Sequence, residues 1–203
     1  LQVDLDYKKY LHVDFVKDPL HDAYQWWSFD IINLHEGLNI LGSEVKPINV
    51  AVLDSGGPIE IDLAYKRSIF DSDRGWDMED NDPLPDDVEF EQGQFSHGTH
   101  VGSTISMLND GIDANGFGAR VTPIRVCYQS GCGPTYEAYL FINGDENDSD
   151  TSWAERTAIS KGLSVSELDE KLYAMNMSYG GGGSAYSNAC QKLAEISESG
   201  VLI

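Results

Sequence analysis

Residues 48–57 read INVAVLDSGG. Ile48 to Leu53 is a short, mostly apolar and β-branched run without polar alternation, the pattern of a parallel strand buried on both faces. Asp54, Ser55, Gly56 and Gly57 follow at once. The segment therefore predicts a central strand that leaves its sheet through a tight turn, with a carboxylate at its carboxyl end.

Outward from it the same grammar repeats. Arg120 to Val126 (RVTPIRV) reads as a strand, Leu172 to Met177 (LYAMNM) as another buried strand running into SYGGGG, and Val201 to Ile203 as the start of a further one. Between them, His97 to Leu108 has helical character, with Val101, Ile105 and Leu108 at i, i+4 and i+7. Thr135 to Ile142 and Ala185 to Ser199 also read as helices, as does Ala154 to Lys171 with an interruption at Gly162. Strands alternating with helices imply an α/β fold with a mainly parallel sheet and right-handed crossovers. Leu1 to Lys17 is alternating and charged, an extended arm or strand. Ser72 to Gln94 is strongly acidic and contains Pro83 and Pro85, which reads as a long surface loop. Asn143 to Ser152 is a polar loop.

The totals restrict the function. The 203 residues suffice for one sizeable α/β domain or most of one, and 41% hydrophobic residues can build a core. Thirteen basic against 34 acidic side chains give a net charge of −21, which repels nucleic acid and anionic membrane surfaces. Such a surface suits salty surroundings, bound cations, a basic substrate or the solubility of a secreted protein. No run approaches the ~18 apolar residues of a membrane span. The opening LQVDLDYKKY is not a signal peptide, so the chain reads as a processed or trimmed product. Of three cysteines, Cys127 and Cys132 flank a turn-like YQSG, open to a local disulfide or to free thiols; Cys190 is the third.

In parallel α/β sheets, sites form at the carboxyl ends of strands. DSGG and SYGGGG stand at two such ends, and SHGTH opens a helix. A buried Asp54 needs donors or a cation; an imidazole would serve, and an Asp against a His fixes the tautomer and stabilises the imidazolium. Taken alone, Asp54 reads more simply as a turn or capping aspartate. His97 and His100 are three residues apart with Gly98 and Thr99 between them, unlike the i, i+4 pair with intervening Glu of HExxH zinc sites. Gly98 lets a backbone or substrate approach the helix start, and His100 reads as a packing histidine. The glycines of LDSGGPIEI do not form a dinucleotide fingerprint, and an acid there would repel a pyrophosphate.

VAVLDSG around Asp54, SHGTHVGST around His97 and MNMSYGG around Ser178 together resemble three successive signatures of subtilisin-like serine proteases, the subtilase family, in family order. The resemblance covers roughly Asp22 to Ile203. It implies a three-layer fold, with Asp54 as the triad aspartate and His97 as the base. Ser178, Tyr179 and Gly180 resemble the strand that pairs with substrate backbone beside the primary specificity pocket. Ser130, Gly131 and Cys132 fall on the opposite substrate-flanking strand. A peptide between two edge strands is held by main-chain hydrogen bonds.

The oxyanion asparagine and nucleophilic serine of the family lie beyond the strand that VLI begins, and none of Ser55, Ser96, Ser103 or Ser178 occupies the serine's position. Residues 18–203 therefore read as the amino-terminal portion of a secreted endopeptidase domain that needs its carboxyl-terminal part. A non-catalytic, calcium-stabilised peptide-binding module is the alternative. Gly102 and Ser103 stand where the family usually has Ala-Gly. KKYLHVD resembles the end of a propeptide, so residues 1–17 are a propeptide remnant or an amino-terminal arm.

Calcium is implied twice. Gly75 to Asp87, GWDMEDNDPLPDD, is similar to a calcium loop of thermophilic subtilases, with Asp77, Asp82 and Asp86 as ligands and Asp80 assisting; a solvated acidic loop is the other reading. Leu108 to Ala114, LNDGIDA, resembles a second site, with Asp110, the carbonyls of Leu108 and Ile112, Asp62 and Gln25; an Asn-Asp-Gly turn ending a helix is the simpler one.

Overall fold

The computed structural model describes residues 19–41, 47–58, 70–87, 97–107, 118–128, 131–145, 151–180 and 187–203. They fall into two units, one within Leu1–Pro47 and one within Ile48–Leu108 and Gly116–Ile203.

In the first unit a π-turn at His21–Gln25 runs into α1 (Trp26–Ile31), followed by α2 (Leu34–Leu41). Asn33, at φ 53°, separates the two helices. His21 is buried beside Phe29, ring centroids 5.5 Å apart. These helices had no counterpart in the sequence reading; in α1 the sequence WWSFDI offers apolar residues on every side rather than one stripe.

The second unit is built on β1 (Asn49–Asp54), whose six residues are all buried. It pairs in parallel with β3 (Arg120–Arg125) on one side and β6 (Leu172–Asn176) on the other. The short β2 (Trp76–Asp77) joins the far side of β3, also in parallel, giving the order β2-β3-β1-β6. Beyond β6 a parallel bridge joins Ala174 to Leu202.

Alternation along β1 supplies two cores. Ala51 and Leu53 face a cluster with Ile124, Ala138, Phe141, Met175 and Ile196. That side is covered by α4 (Thr135–Asn143), α5 (Trp153–Lys161) and α6 (Ser187–Glu198). Val50 and Val52 face the other way, onto Val121, Phe70, Val101 and Ile105. Val101 and Ile105 belong to α3 (His97–Ser106), which packs on β1 and β3. Helices on both faces make three layers, as expected.

Two expectations change. The residues α3 buries are its small ones, Gly98, Thr99, Gly102, Ser103 and Ser106, while Val101 and Ile105 are half-buried. At Gly102 a Cβ would meet the Phe70 ring at 2.6 Å, so the helix sits too close to the sheet for a larger residue. Within 72–94, the described part is not a solvated loop. It holds a 3-10 turn (Ser72–Arg74), β2, and three buried charged residues, Arg74, Asp77 and Asp87. Residues 88–94 lie outside the described residues, as does the arm at 1–17.

Candidate active site

Parallel pairing brings the strand ends together. In register, Asp77 stands against Arg125 and Arg125 against Asp54, all at the carboxyl edge of the sheet. Met177, Ser178, Tyr179 and Gly180 leave β6 on the same edge, two strands from Arg125.

His97 is the first residue of α3, and its Nδ1 lies 2.7 Å from Asp54 Oδ1. An ionised carboxylate only accepts, so Nδ1 carries the proton and Nε2 is left as the acceptor. The Ser55 amide donates to the same Asp54 oxygen at 2.8 Å. Asp54 is 2% exposed and His97 58%, so the imidazole is held from beneath and open above. Gly98 permits this arrangement: a Cβ there would stand 2.9 Å from the Gly56 nitrogen and 3.1 Å from Asp54 Cβ. The backbone that approaches the helix start is that of the DSGG turn. His100 is exposed, which corrects its reading as a packing histidine.

The buried residues that sequence reasoning passed over are Ser55, Asp87 and Arg125. Ser55 Oγ accepts from the Gly98 amide at 2.9 Å and donates to Asp87 Oδ2 at 3.1 Å. That oxygen also accepts from the amide and hydroxyl of Thr99, each at 3.1 Å. Asp87 sat among eight other acids in the sequence between Ser72 and Gln94, with nothing to distinguish it.

Asp77 Oδ2 is ion-paired with Arg125, and Oδ1 accepts from the amides of Glu79 and Asp80. Arg125 also reaches Asp80 at 3.2 Å and lies over the Tyr128 ring, 4.1 Å from its centroid. Burial opposes the guanidinium charge, but Asp77 and Asp80 outweigh it and hold its pKa above that of free arginine. Burial, then Asp77, push the Tyr128 phenol up. Asp82 Oδ1 accepts from the Leu84 amide at 2.8 Å, and Asp86 bridges Gly57 through its backbone. Among the described residues no three acidic side chains are grouped to hold a metal ion. Of Asp77, Asp82 and Asp86, the expected calcium ligands, the buried Asp77 is held by a cation and two amides. Asp62, Leu108, Asp110 and Ile112 lie outside the described residues, as does Ser130.

Of the substrate-flanking residues, Gly131 and Cys132 form β5 (Gly131–Cys132), an exposed strand antiparallel to β4 (Cys127–Tyr128). The Cys127–Cys132 disulfide closes this hairpin, and Cys190 is free and exposed. Ser178 is exposed, its Oγ donating to Asn176 Oδ1 at 2.9 Å. Tyr179 is half-buried; burial, then Tyr139 and the Asp54 carboxylate, push its phenol up.

No curated protein matches the chain. Among solved structures it is similar to a protease from Pseudoalteromonas arctica PAMC 21717, with 26% identity and a TM-score of 0.45. The match covers 76% of this chain and 47% of that one, so the chain spans about half the length of that protease. Residues 46–203 match the subtilase family. With that match running through both the DSGG turn and the histidine helix, the chain belongs to the subtilase family of serine proteases.

Proposed function

We propose that this chain is the amino-terminal portion of the catalytic domain of a secreted serine endopeptidase, with Asp54 and His97 as two members of its triad. The observation that carries the reading is the 2.7 Å contact between Asp54 Oδ1 and His97 Nδ1, carboxylate buried and imidazole open. In this reading His97 Nε2 takes the proton of a serine hydroxyl as that oxygen attacks the peptide carbonyl. Asp54 stabilises the resulting imidazolium, which protonates the leaving amine, and water then hydrolyses the acyl-enzyme. Among the described residues no serine hydroxyl is hydrogen-bonded to His97; the nucleophile and the oxyanion asparagine come from the carboxyl-terminal part, the chain's partner.

The polypeptide substrate lies between Ser178–Gly180 and the edge containing Ser130 and Gly131, paired through main-chain hydrogen bonds. Secretion is supported by the Cys127–Cys132 disulfide, which persists in oxidising compartments. The −21 charge argues against nucleic-acid and membrane partners. Calcium is retained in this proposal at one site, with Asp62, Asp110 and the carbonyls of Leu108 and Ile112, an oxygen-only set suited to that ion.

The test is active-site labelling of the intact protein with a fluorophosphonate. Label on a serine outside residues 1–203, lost together with peptide hydrolysis in a His97→Ala variant, is the expected result. Label on a serine within this chain overturns the triad assignment; no label and no hydrolysis favours the non-catalytic peptide-binding module.

A further inference from the structure

We infer that Asp87 and Ser55 are positioning residues for His97: together they fix the first turn of its helix to the strand end that carries Asp54. The inference rests on the proposed role of His97, but its geometry is independent of that role.

The first turn of a helix leaves amide groups without intrahelical partners, and something outside the helix must satisfy them. In α3 the second and third amides, of Gly98 and Thr99, are taken by Ser55 Oγ at 2.9 Å and Asp87 Oδ2 at 3.1 Å. An N-cap is ordinarily the residue just before the helix; here both capping groups come from elsewhere in the chain. Ser55 is the neighbour of Asp54, and Asp87 is ten residues upstream of His97. Ser55 Oγ joins them by donating to the same Asp87 oxygen at 3.1 Å.

Asp87 is in turn tied to the DSGG turn. Its amide donates to the Gly57 carbonyl at 2.8 Å, and the Gly57 amide donates to Pro85 O at 2.8 Å. Asp54, Ser55, Gly57, Asp87 and the start of α3 are thus joined in one connected set of hydrogen bonds. Its only exposed member is the imidazole of His97, since Asp54, Ser55, Asp87, Gly98 and Thr99 are all buried. A cap that served the helix alone could sit in the preceding segment. This one reaches through the neighbour of the carboxylate that holds the imidazole, so any slack in it appears directly as a change in the Asp54–His97 distance.

The measurement is made on the intact protein. Proton NMR follows the hydrogen-bonded Nδ1 proton of His97, assigned by its loss in His97→Ala, and its exchange with solvent. Peptide hydrolysis is followed in parallel. Asp87→Asn and Ser55→Ala are expected to speed that exchange at least tenfold and to lower kcat by about tenfold to a hundredfold, the scale of a small misplacement, with KM within twofold. Ser55→Thr, which keeps the hydroxyl, restores both. Ser152→Ala is the control for lost capping: Ser152 caps α5, accepting from the Glu155 amide, and its removal lowers the melting temperature without touching the His97 proton or kcat. If Asp87→Asn lowers melting and leaves the Nδ1 proton and kcat unchanged, its role is only structural and the inference is wrong. Should Asp87→Asn not fold, the Ser55→Ala and Ser55→Thr pair decides on the same readouts. A protein without hydrolytic activity sinks the proposed function, while the Nδ1 exchange still judges the inference.

Discussion

The carboxylate of Asp54 is 2% exposed, and the imidazole it holds at 2.7 Å, that of His97, is 58% exposed. One hydrogen bond thus spans the boundary between core and solvent. The buried end sets orientation, and the open end is where a reacting hydroxyl and a peptide can arrive.

His97→Ala in the intact protein is expected to cost on the order of 10⁶ in turnover, the scale on which a triad member contributes in subtilisin. His100→Ala, on the exposed side of the same helix, changes stability by within about 0.5 kcal/mol and turnover by less than twofold. Steady-state kinetics of the two variants check this; near-normal turnover in His97→Ala would remove it from the mechanism.

Arg125→Met leaves Asp77 buried without its cation, and breaking a buried pair in this way costs about 3–5 kcal/mol. The vacated carboxylates of Asp77 and Asp80 are then free to take a metal, so calcium should raise the melting temperature of the variant through this loop. In the unaltered protein, chelator should leave residues 76–82 as resistant to proteolysis as before, and destabilise only through the Asp110 site. Mass spectrometry of the cleavage products with and without chelator distinguishes the two loops; early cleavage at 76–82 in the unaltered protein would return calcium to it.

The Glu170 carboxylate receives Lys161 and Arg74, the latter at 2.8 Å. Burial works against its charge, but the two cations prevail and hold its pKa below the usual 4.5. A depressed carboxylate stabilises the fold fully above its unfolded value, and that contribution fades as pH falls through the folded one. Glu170→Gln should therefore lose stability at pH 7 yet show a shallower loss below pH 4.5. Parallel melting curves from pH 7 to pH 3 report the difference, and identical slopes would count against the pair.

Removing the disulfide with Cys127→Ser and Cys132→Ser should cost about 2 kcal/mol, the chain-entropy value for so short a loop. Because β5 belongs to the proposed substrate edge, KM for peptides should rise more than kcat falls. A pure stability loss with unchanged KM would separate this hairpin from substrate binding.

The sheet was legible because INVAVL and LYAMNM are mostly apolar runs, and such runs have few alternatives in a parallel sheet. Asp54 and His97 could be paired because each opens or closes an element whose position the pattern fixes. Asp77 could not be read the same way. A carboxylate in an acidic segment looks alike whether its cation is a metal or an arginine, and Arg125 is 48 residues away in sequence. Only the register between β2 and β3 brings them together. His100 was misplaced for a related reason: which face of α3 lies inward is set by Gly98 and Gly102, whose close packing on Gly56 and Phe70 is invisible in a hydrophobic pattern.

β1 is made before either of its neighbours, which come from Arg120 onwards and from Leu172 onwards. The strand that anchors both cores must therefore wait, with both edges bare, while most of this chain emerges from the ribosome. Long-range parallel pairing of this kind pays its loop-closure entropy before any contact rewards it, and such topologies fold slowly. Refolding of the protein should accordingly be governed by β6 docking onto β1, with dilution favouring recovery over aggregation through the waiting edges.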